Sequence, residues 1–288
     1  MPDLEQLSDR NREQSVAKER YVVRFTRAQR IMHAVLFTTF LGLAATGLSL
    51  RFSESIWARG LATGVGGFGA ILFIHKLCAV VLTAAFLIHL KEIFVRGVIH
   101  REKGIFWGAT SMVPNWKDVK NLYGHFRWFL GLGSKPQFDR YAYWEKFDYW
   151  AVFWGMVVIG FSGYAMWFAP FFARFLPGWA LNAVLVIHGE EGLLAILFIF
   201  SIHFVNTHLR PDSFPMDMVI FTGVESEEEF KSRRTDEFKR VAGQGKLEGR
   251  IGEKPAAWLV NFSRIAGYAA ILIGLTLLVL TLSAYFRE

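Results

Sequence analysis

A chain of 288 residues with 53% hydrophobic content is too apolar for an ordinary soluble domain, and its apolar residues come in blocks. The net charge of +7 does not point to nucleic acid, because the Lys and Arg lie in segments between those blocks. Cys78 is the single cysteine, which excludes an intrachain disulfide, a thiolate cluster and a Cys-x-x-Cys-His haem attachment site.

Taken in order, the chain begins MPDLEQLSDRNREQ, which is acidic and polar and has no apolar core of a cleavable signal peptide. Residues 1–30 are polar and end in Arg24, Arg27 and Arg30. Apolar stretches of membrane-spanning length predict helices over 31–50, 68–90, 148–169, 182–206 and 257–285. The second is entered through the glycine-rich GVGGFG. The abundance of aromatics, 28 Phe and 10 Trp, suits interface belts. Lys plus Arg number seven in segment 1–30, ten in 91–146 and nine in 209–256. The opposite loops hold only Arg51 and Arg59, then Arg174, and the tail has Arg287. That bias places the N-terminus in the cytoplasm and the C-terminus outside, in a bacterial inner membrane. Within 91–146, PNWKDVKNLYGHFRWFLGLG mixes basic and aromatic residues at near-helical spacing. It reads as a helix lying on the cytoplasmic lipid surface, or as an ordinary amphipathic loop helix. Segment 224–250 is charge-rich and reads as a solvated helix with frayed ends.

Six of the eight histidines lie in or beside the apolar helices: His33, His75, His89, His188, His203 and His208. Ionisable groups at membrane depth are costly and face the bundle interior. His188 and His203 are 15 residues apart, hence roughly 60° apart around a helix and roughly 22 Å along it. His75 and His89, 14 apart, are separated by roughly 40° and 21 Å. With the second and fourth helices both running inward, His75 and His188 share an outer level. His33, His89 and His203 share an inner one. Zinc favours a tight tetrahedral set with Cys or carboxylates. Paired imidazoles at two levels instead suit bis-His haem iron, which moves electrons and has no open coordination position. His203 and His208 are five residues apart, so roughly 140° and 7.5 Å separate them. They cannot bind opposite faces of one porphyrin. Either His208 pairs with His89 at a third haem near the cytoplasmic surface, or both end in hydrogen bonds, His208 in the helix-end turn before Arg210 and Pro211. Haem b, held non-covalently, is therefore expected at two or three sites.

Other polar residues have two readings each. Lys76 neutralises a haem propionate or pairs with Glu191, or else snorkels to the interface. Arg30 and Arg27 flank His33, as propionate ligands or as plain cytoplasmic charge. Glu145 and Asp148, at the start of the third helix, relay protons or cap and solvate. Gly42, Gly47, Gly160, Gly163, Gly189 and Gly192 allow close packing of helix or porphyrin faces.

RAQRIMHAVLFTTFLGLAATGL, with Arg30, His33, Thr46 and Gly47, resembles the first helix of the cytochrome b subunits of membrane formate dehydrogenases and nickel–iron hydrogenases. YWEKFDYWAVFWGMVVIGFSGYAMWF and IHGEEGLLAILFIFSIHFVNTHLRPDSFPMD are closer to a branch of that superfamily found beside multihaem cytochromes c. The resemblance covers roughly 24–222 and leaves the fifth helix outside. It implies two stacked b haems, the outer on His75 and His188 and the inner on His33 and His203, with a quinone site beside the inner one. Two departures stand: the His188–His203 step is 15 residues where the formate dehydrogenase type has 14, and His89 and His208 are additional. His89 is thus a rival to His33.

The expected fold is all-α and membrane-integral: a polar segment 1–30, a four-helix haem bundle over 31–222, a charged segment 223–256 and a fifth helix with its tail over 257–288. The expected function is electron transfer between menaquinone or ubiquinone and a redox partner, a multihaem cytochrome c or iron–sulfur protein, docked outside. Rival readings are a haem-free membrane anchor of a peripheral enzyme and a transition-metal transporter. The second lacks the broken helices and acidic midplane residues such a path needs.

Overall fold

The computed structural model describes residues 19–286, so most of the polar 1–30 segment and the end of the C-terminal tail lie outside the described residues. The fold is all-α, with five helices long and apolar enough to cross a membrane. In chain order the helices of seven or more residues are α1 (Arg27–Arg51), α2 (Ile56–Val65), α3 (Phe68–Ile99), α4 (Trp116–Phe129), α5 (Tyr143–Trp167), α6 (Gly178–Leu209), α7 (Glu227–Arg233), α8 (Thr235–Gly243) and α9 (Ala257–Tyr285). The five spans are α1, α3, α5, α6 and α9.

Four of them, α1, α3, α5 and α6, run past the ends that hydropathy alone suggests. Lys91, Glu92 and Arg96 continue α3 because Arg96 pairs with Glu92 one turn back, at 3.2 Å, and with Glu102 beyond the helix end. α5 starts at Tyr143, where the Glu145 carboxylate accepts the Ala142 N–H at 2.7 Å. α1 begins with a full capping box, Thr26 and Gln29 satisfying each other's backbone N–H groups. α2 is an extra helix in the α1–α3 loop. Ser55 caps its start, and Gly66 ends it at φ 105°, a left-handed turn that favours glycine.

The packed centre joins α1, α6 and α9. Ala44, Leu48 and Phe52 meet Ile196, Phe200, Phe204 and Leu277. Gly274 is what lets α9 close on α6: a Cβ there would lie 2.7 Å from the Phe200 ring and 2.8 Å from that of Phe204. The fifth helix is therefore built into the bundle. α4 turns Asp118 and His125 inward. It presents Trp116, Val119, Tyr123 and Phe126 outward, with Lys117, Lys120 and Arg127 beside them.

One expectation fails. Segment 224–250 is not a solvated helix. It holds a strand, β2 (Val224–Ser226), then α7 and α8, and packs onto the chain's beginning. β1 (Tyr21–Val23) is the middle strand of a small antiparallel sheet, β2-β1-β3, with β3 at Ile251–Gly252. Tyr21 pairs with Ser226 on one side and Gly252 on the other. The charges misled because they face one another. Arg24 is buried against Glu225, at 2.8 Å, and against Glu237. Glu237 also takes Arg250 at 2.7 Å, and Arg234 takes Glu145 at 2.6 Å. Val22 and Phe230 are fully buried beneath them. The result is a polar cap clamped to the arginine-rich end of the bundle, fixing the starts of α1 and α5.

Candidate functional site

The membrane histidines gather at two levels of the bundle. At the first, His75 of α3 faces His188 of α6, with ring centroids 6.3 Å apart and planes at 77°. Two imidazoles bound to one transition metal, each nitrogen about 2 Å from it, have centroids about 6 Å apart. The outward nitrogens of both rings are occupied. His188 Nδ1 lies 3.0 Å from the Ile159 carbonyl, an acceptor only, so Nδ1 carries the proton and Nε2 keeps its lone pair. His75 Nδ1 lies 2.9 Å from Thr46 Oγ1, whose own hydrogen goes to the Gly42 carbonyl at 2.6 Å. The hydroxyl therefore accepts from His75, leaving Nε2 of this ring unprotonated too. Anchoring the remote N–H to an oxygen is how proteins orient a metal-ligating imidazole.

Local helix geometry makes these contacts. In α5 the turn Met156–Gly160 is π-helical, and its wider spacing presents the Ile159 carbonyl sideways to His188. Two glycines let the rings lie directly on helix backbone. A Cβ on Gly47 would sit 3.2 Å from His75 Cε1, and one on Gly163 would sit 2.9 Å from His188 Cε1. Around this level Arg51 pairs with Glu190 at 2.8 Å, and Trp154 Nε1 donates to Glu191 at 3.2 Å. The sequence offered a Lys76–Glu191 pair. Lys76 instead holds its ammonium 4.9 Å above the Trp167 ring, a cation–π contact.

At the second level, His203 Nδ1 donates to the Asp148 carboxylate at 2.9 Å, which fixes the tautomer and leaves Nε2 free. His208 lies beside it, centroids 6.3 Å apart, and its Nδ1 is buried with no hydrogen-bond partner. His33 of α1 packs against Phe37 and Phe221. His89 differs: its Nε2 is 2.9 Å from the Tyr149 hydroxyl and its ring sits edge-on to Phe153. Arg30 gives its Nε–H to the Phe221 carbonyl at 2.7 Å, which ties the start of α1 to the chain after α6. Glu145 caps α5 and pairs with Arg234, so its carboxylate is fully engaged.

α6 contains two π-helical turns, Ile199–His203 and Val205–Leu209. A π-turn takes up about one extra residue. The 15-residue step from His188 to His203 therefore advances as 14 α-helical residues do, to roughly −40° instead of +60°. The insertion relative to the 14-residue pattern is absorbed in the backbone, and His203 stays on the face that carries His188. Among the described residues no three His, Cys, Asp or Glu side chains converge as a tetrahedral metal cluster needs. At the first level the donor set is a facing pair of imidazoles with unengaged Nε2 atoms, at the second His203 offers the same arrangement, and such donors fit haem iron.

The sequence did not single out the oxygen partners. Thr46 was visible only as part of a motif, and Asp148 only as a helix-start carboxylate. The available signal was an Asp one turn inside an apolar helix, at the depth of His203. The Ile159 carbonyl has no side-chain signature.

Electrostatically, the cap outside the membrane holds its charge by pairing. Burial pushes the Glu237 carboxyl up, but Arg24 and Arg140 outweigh this and hold it below its ordinary value of 4.5. Burial dominates at Glu225, which is pushed up despite Arg24.

No protein-family model matches the chain. Over 182 residues, 63% of this chain and 76% of its relative, it is 24% identical to the formate dehydrogenase cytochrome b556(fdo) subunit of Escherichia coli K12. The same values hold for the subunit of that name from E. coli O157:H7. The helical bundle with paired histidines is thus distantly similar to a cytochrome b subunit of formate dehydrogenase.

Proposed function

We propose that this chain is a membrane b-type cytochrome that passes electrons between a quinone and a redox partner enzyme. The observation that carries the reading is the His75–His188 pair, at 6.3 Å with both Nδ1 atoms held by oxygens and both Nε2 atoms unengaged. These two residues hold the outer haem. His33 and His203 hold the inner one, supported by the resemblance of the first helix and by the Asp148 contact that leaves His203 Nε2 free. Two haems are favoured over three, because His89, the partner His208 would need, has Nε2 committed to Tyr149.

When bound, haem supplies one-electron chemistry with no open coordination site. The chain's own contribution is ligation, orientation and exclusion of water. Thr46, Ile159 and Asp148 hold the rings, while Gly47 and Gly163 let them seat against backbone. The Lys and Arg bias sets the polar cap in the cytoplasm and His75 and His188 toward the outside. The redox partner, a multihaem cytochrome c or an iron–sulfur protein, docks on the outer face. The quinone, menaquinone or ubiquinone, reacts near His203 and the start of α5. The test of ligation is substitution. His75→Ala and His188→Ala each remove the same haem and leave the inner one. If the two variants lose different haems, the pairing is wrong. A quinone-analogue inhibitor should perturb the spectrum of the inner haem alone, and a shift confined to the outer haem would contradict the placement.

A further inference from the structure

The proposed ligands differ in what holds their remote nitrogen. His75 faces a hydroxyl, Thr46, and His188 a carbonyl, Ile159, both neutral. His203 faces a carboxylate, Asp148, at 2.9 Å. Asp148 is buried within the bundle end, 9% exposed. Among the described residues its only ion-pair partner is His203, and its Oδ1 has no hydrogen-bond partner. The cations at this end of the bundle make other contacts: Lys146 with Asp118 at 2.9 Å, Arg234 with Glu145 at 2.6 Å, and Arg210 over the Trp144 ring at 4.4 Å, its Nε buried without a hydrogen-bond partner. Among the described residues no lysine or arginine forms an ion pair with Asp148, and its charge bears most directly on the His203 imidazole.

We propose that Asp148 is a positioning residue that sets the reduction potential of the inner haem, holding it below the value a neutral partner would give. The physical chain is short. A carboxylate accepting the Nδ1–H draws that proton toward itself and makes the imidazole a stronger electron donor through Nε2. A more basic axial ligand, with a negative charge behind it in a region of low dielectric, favours the ferric over the ferrous state. The two levels of the bundle are thereby made unequal by one side chain of α5. The inference rests on the proposed haem ligation and adds to it a residue that touches no haem.

The experiment is potentiometric titration of the full-length protein in detergent, monitored by absorbance, for wild type, Asp148→Asn and Asp148→Glu. Asp148→Asn keeps size and an acceptor oxygen but removes the charge. The expected result is two haems retained, an upward shift in the potential of the inner haem and an unmoved outer haem. Asp148→Glu restores the charge and should bring the inner potential back toward wild type. Retention of the inner haem in the Glu variant with its loss in the Asn variant would also support an anionic acceptor. Both haems present in Asp148→Asn with unchanged potentials would overturn the inference, as would equal shifts in the two haems. Loss of the inner haem from both variants would assign Asp148 to packing and overturn it as well. A wild-type protein that binds no haem would defeat the functional reading itself, which is a separate outcome.

Discussion

Gly163→Ala is the sharpest perturbation of the outer site that leaves every ligand in place. The added methyl would sit 2.9 Å from His188 Cε1, closer than two carbons approach, so the ring or the helix must move. The His188 ring is held by Ile159 O on one side and would be held by iron on the other, so it has little freedom to yield. Overpacking of this kind costs about 2 kcal/mol, the middle of its usual range. At 1.4 kcal/mol per decade that is about a thirtyfold loss in outer-haem affinity. Gly47→Ala meets His75 Cε1 at 3.2 Å, a looser contact, and should cost about 1 kcal/mol, or about fivefold. Gly60→Ala on α2, away from the histidines, has no atom within 4 Å of its new methyl and serves as the neutral control. It should lose nothing, and the higher helix propensity of alanine can stabilise it by up to about 1 kcal/mol. Haem titration of the apoprotein in nanodiscs, with the two haems resolved by potential, gives the three affinities. The order Gly163, Gly47, Gly60 in severity, confined to the outer haem, is expected. Equal losses in all three, or loss of the inner haem instead, would refute the reasoning.

Three other outcomes follow from the same geometry. Deleting Ser201 should turn the π-turn Ile199–His203 into an α-turn and keep both haems. Inserting one alanine after Leu193 rotates everything beyond it by about 100° and should abolish the inner haem, both read by pyridine haemochrome against protein mass. Glu237→Gln leaves Arg24 buried with part of its counter-charge gone and should destabilise the cap by about 3 kcal/mol, seen as faster hydrogen exchange across 21–23 and 224–252 with haem spectra unchanged. Because the Glu237 carboxyl is held below 4.5 in the folded cap, its contribution is present above that pH and lost as pH falls through its folded value. The difference between wild type and Glu237→Gln should therefore shrink in acid below about pH 4.5, and a difference that grows there would contradict the assignment.

The spans were legible because each is a long apolar run, and the histidine levels because α-helical rise converts sequence spacing into depth. The helix ends were not, since Lys91, Glu92 and Arg96 extend α3 through ion pairs that hydropathy ignores. The cap was misjudged for a related reason. A segment such as 224–250 looks solvated when its charges are counted singly, and Arg24, Glu225 and Glu237 are buried only because they meet across about 200 positions of chain. The π-turns of α5 and α6 have no signature in composition. The one hint of the second was the 15-residue histidine step itself. Asp148 was weighed as a cap or relay, whereas its partner, His203, stands 55 positions away.

The measurement that bears most directly on the account is the dithionite-reduced minus oxidised spectrum of the purified, folded protein, followed by pyridine haemochrome quantitation after acid–acetone extraction. The account predicts a b-type spectrum, complete extraction of the haem because no Cys-x-x-Cys-His sequence exists to hold it covalently, and about two haems per chain. A folded, colourless preparation that takes up no haem would contradict it, and a ratio near three that falls by one in both His89→Ala and His208→Ala would replace the two-site arrangement with a third.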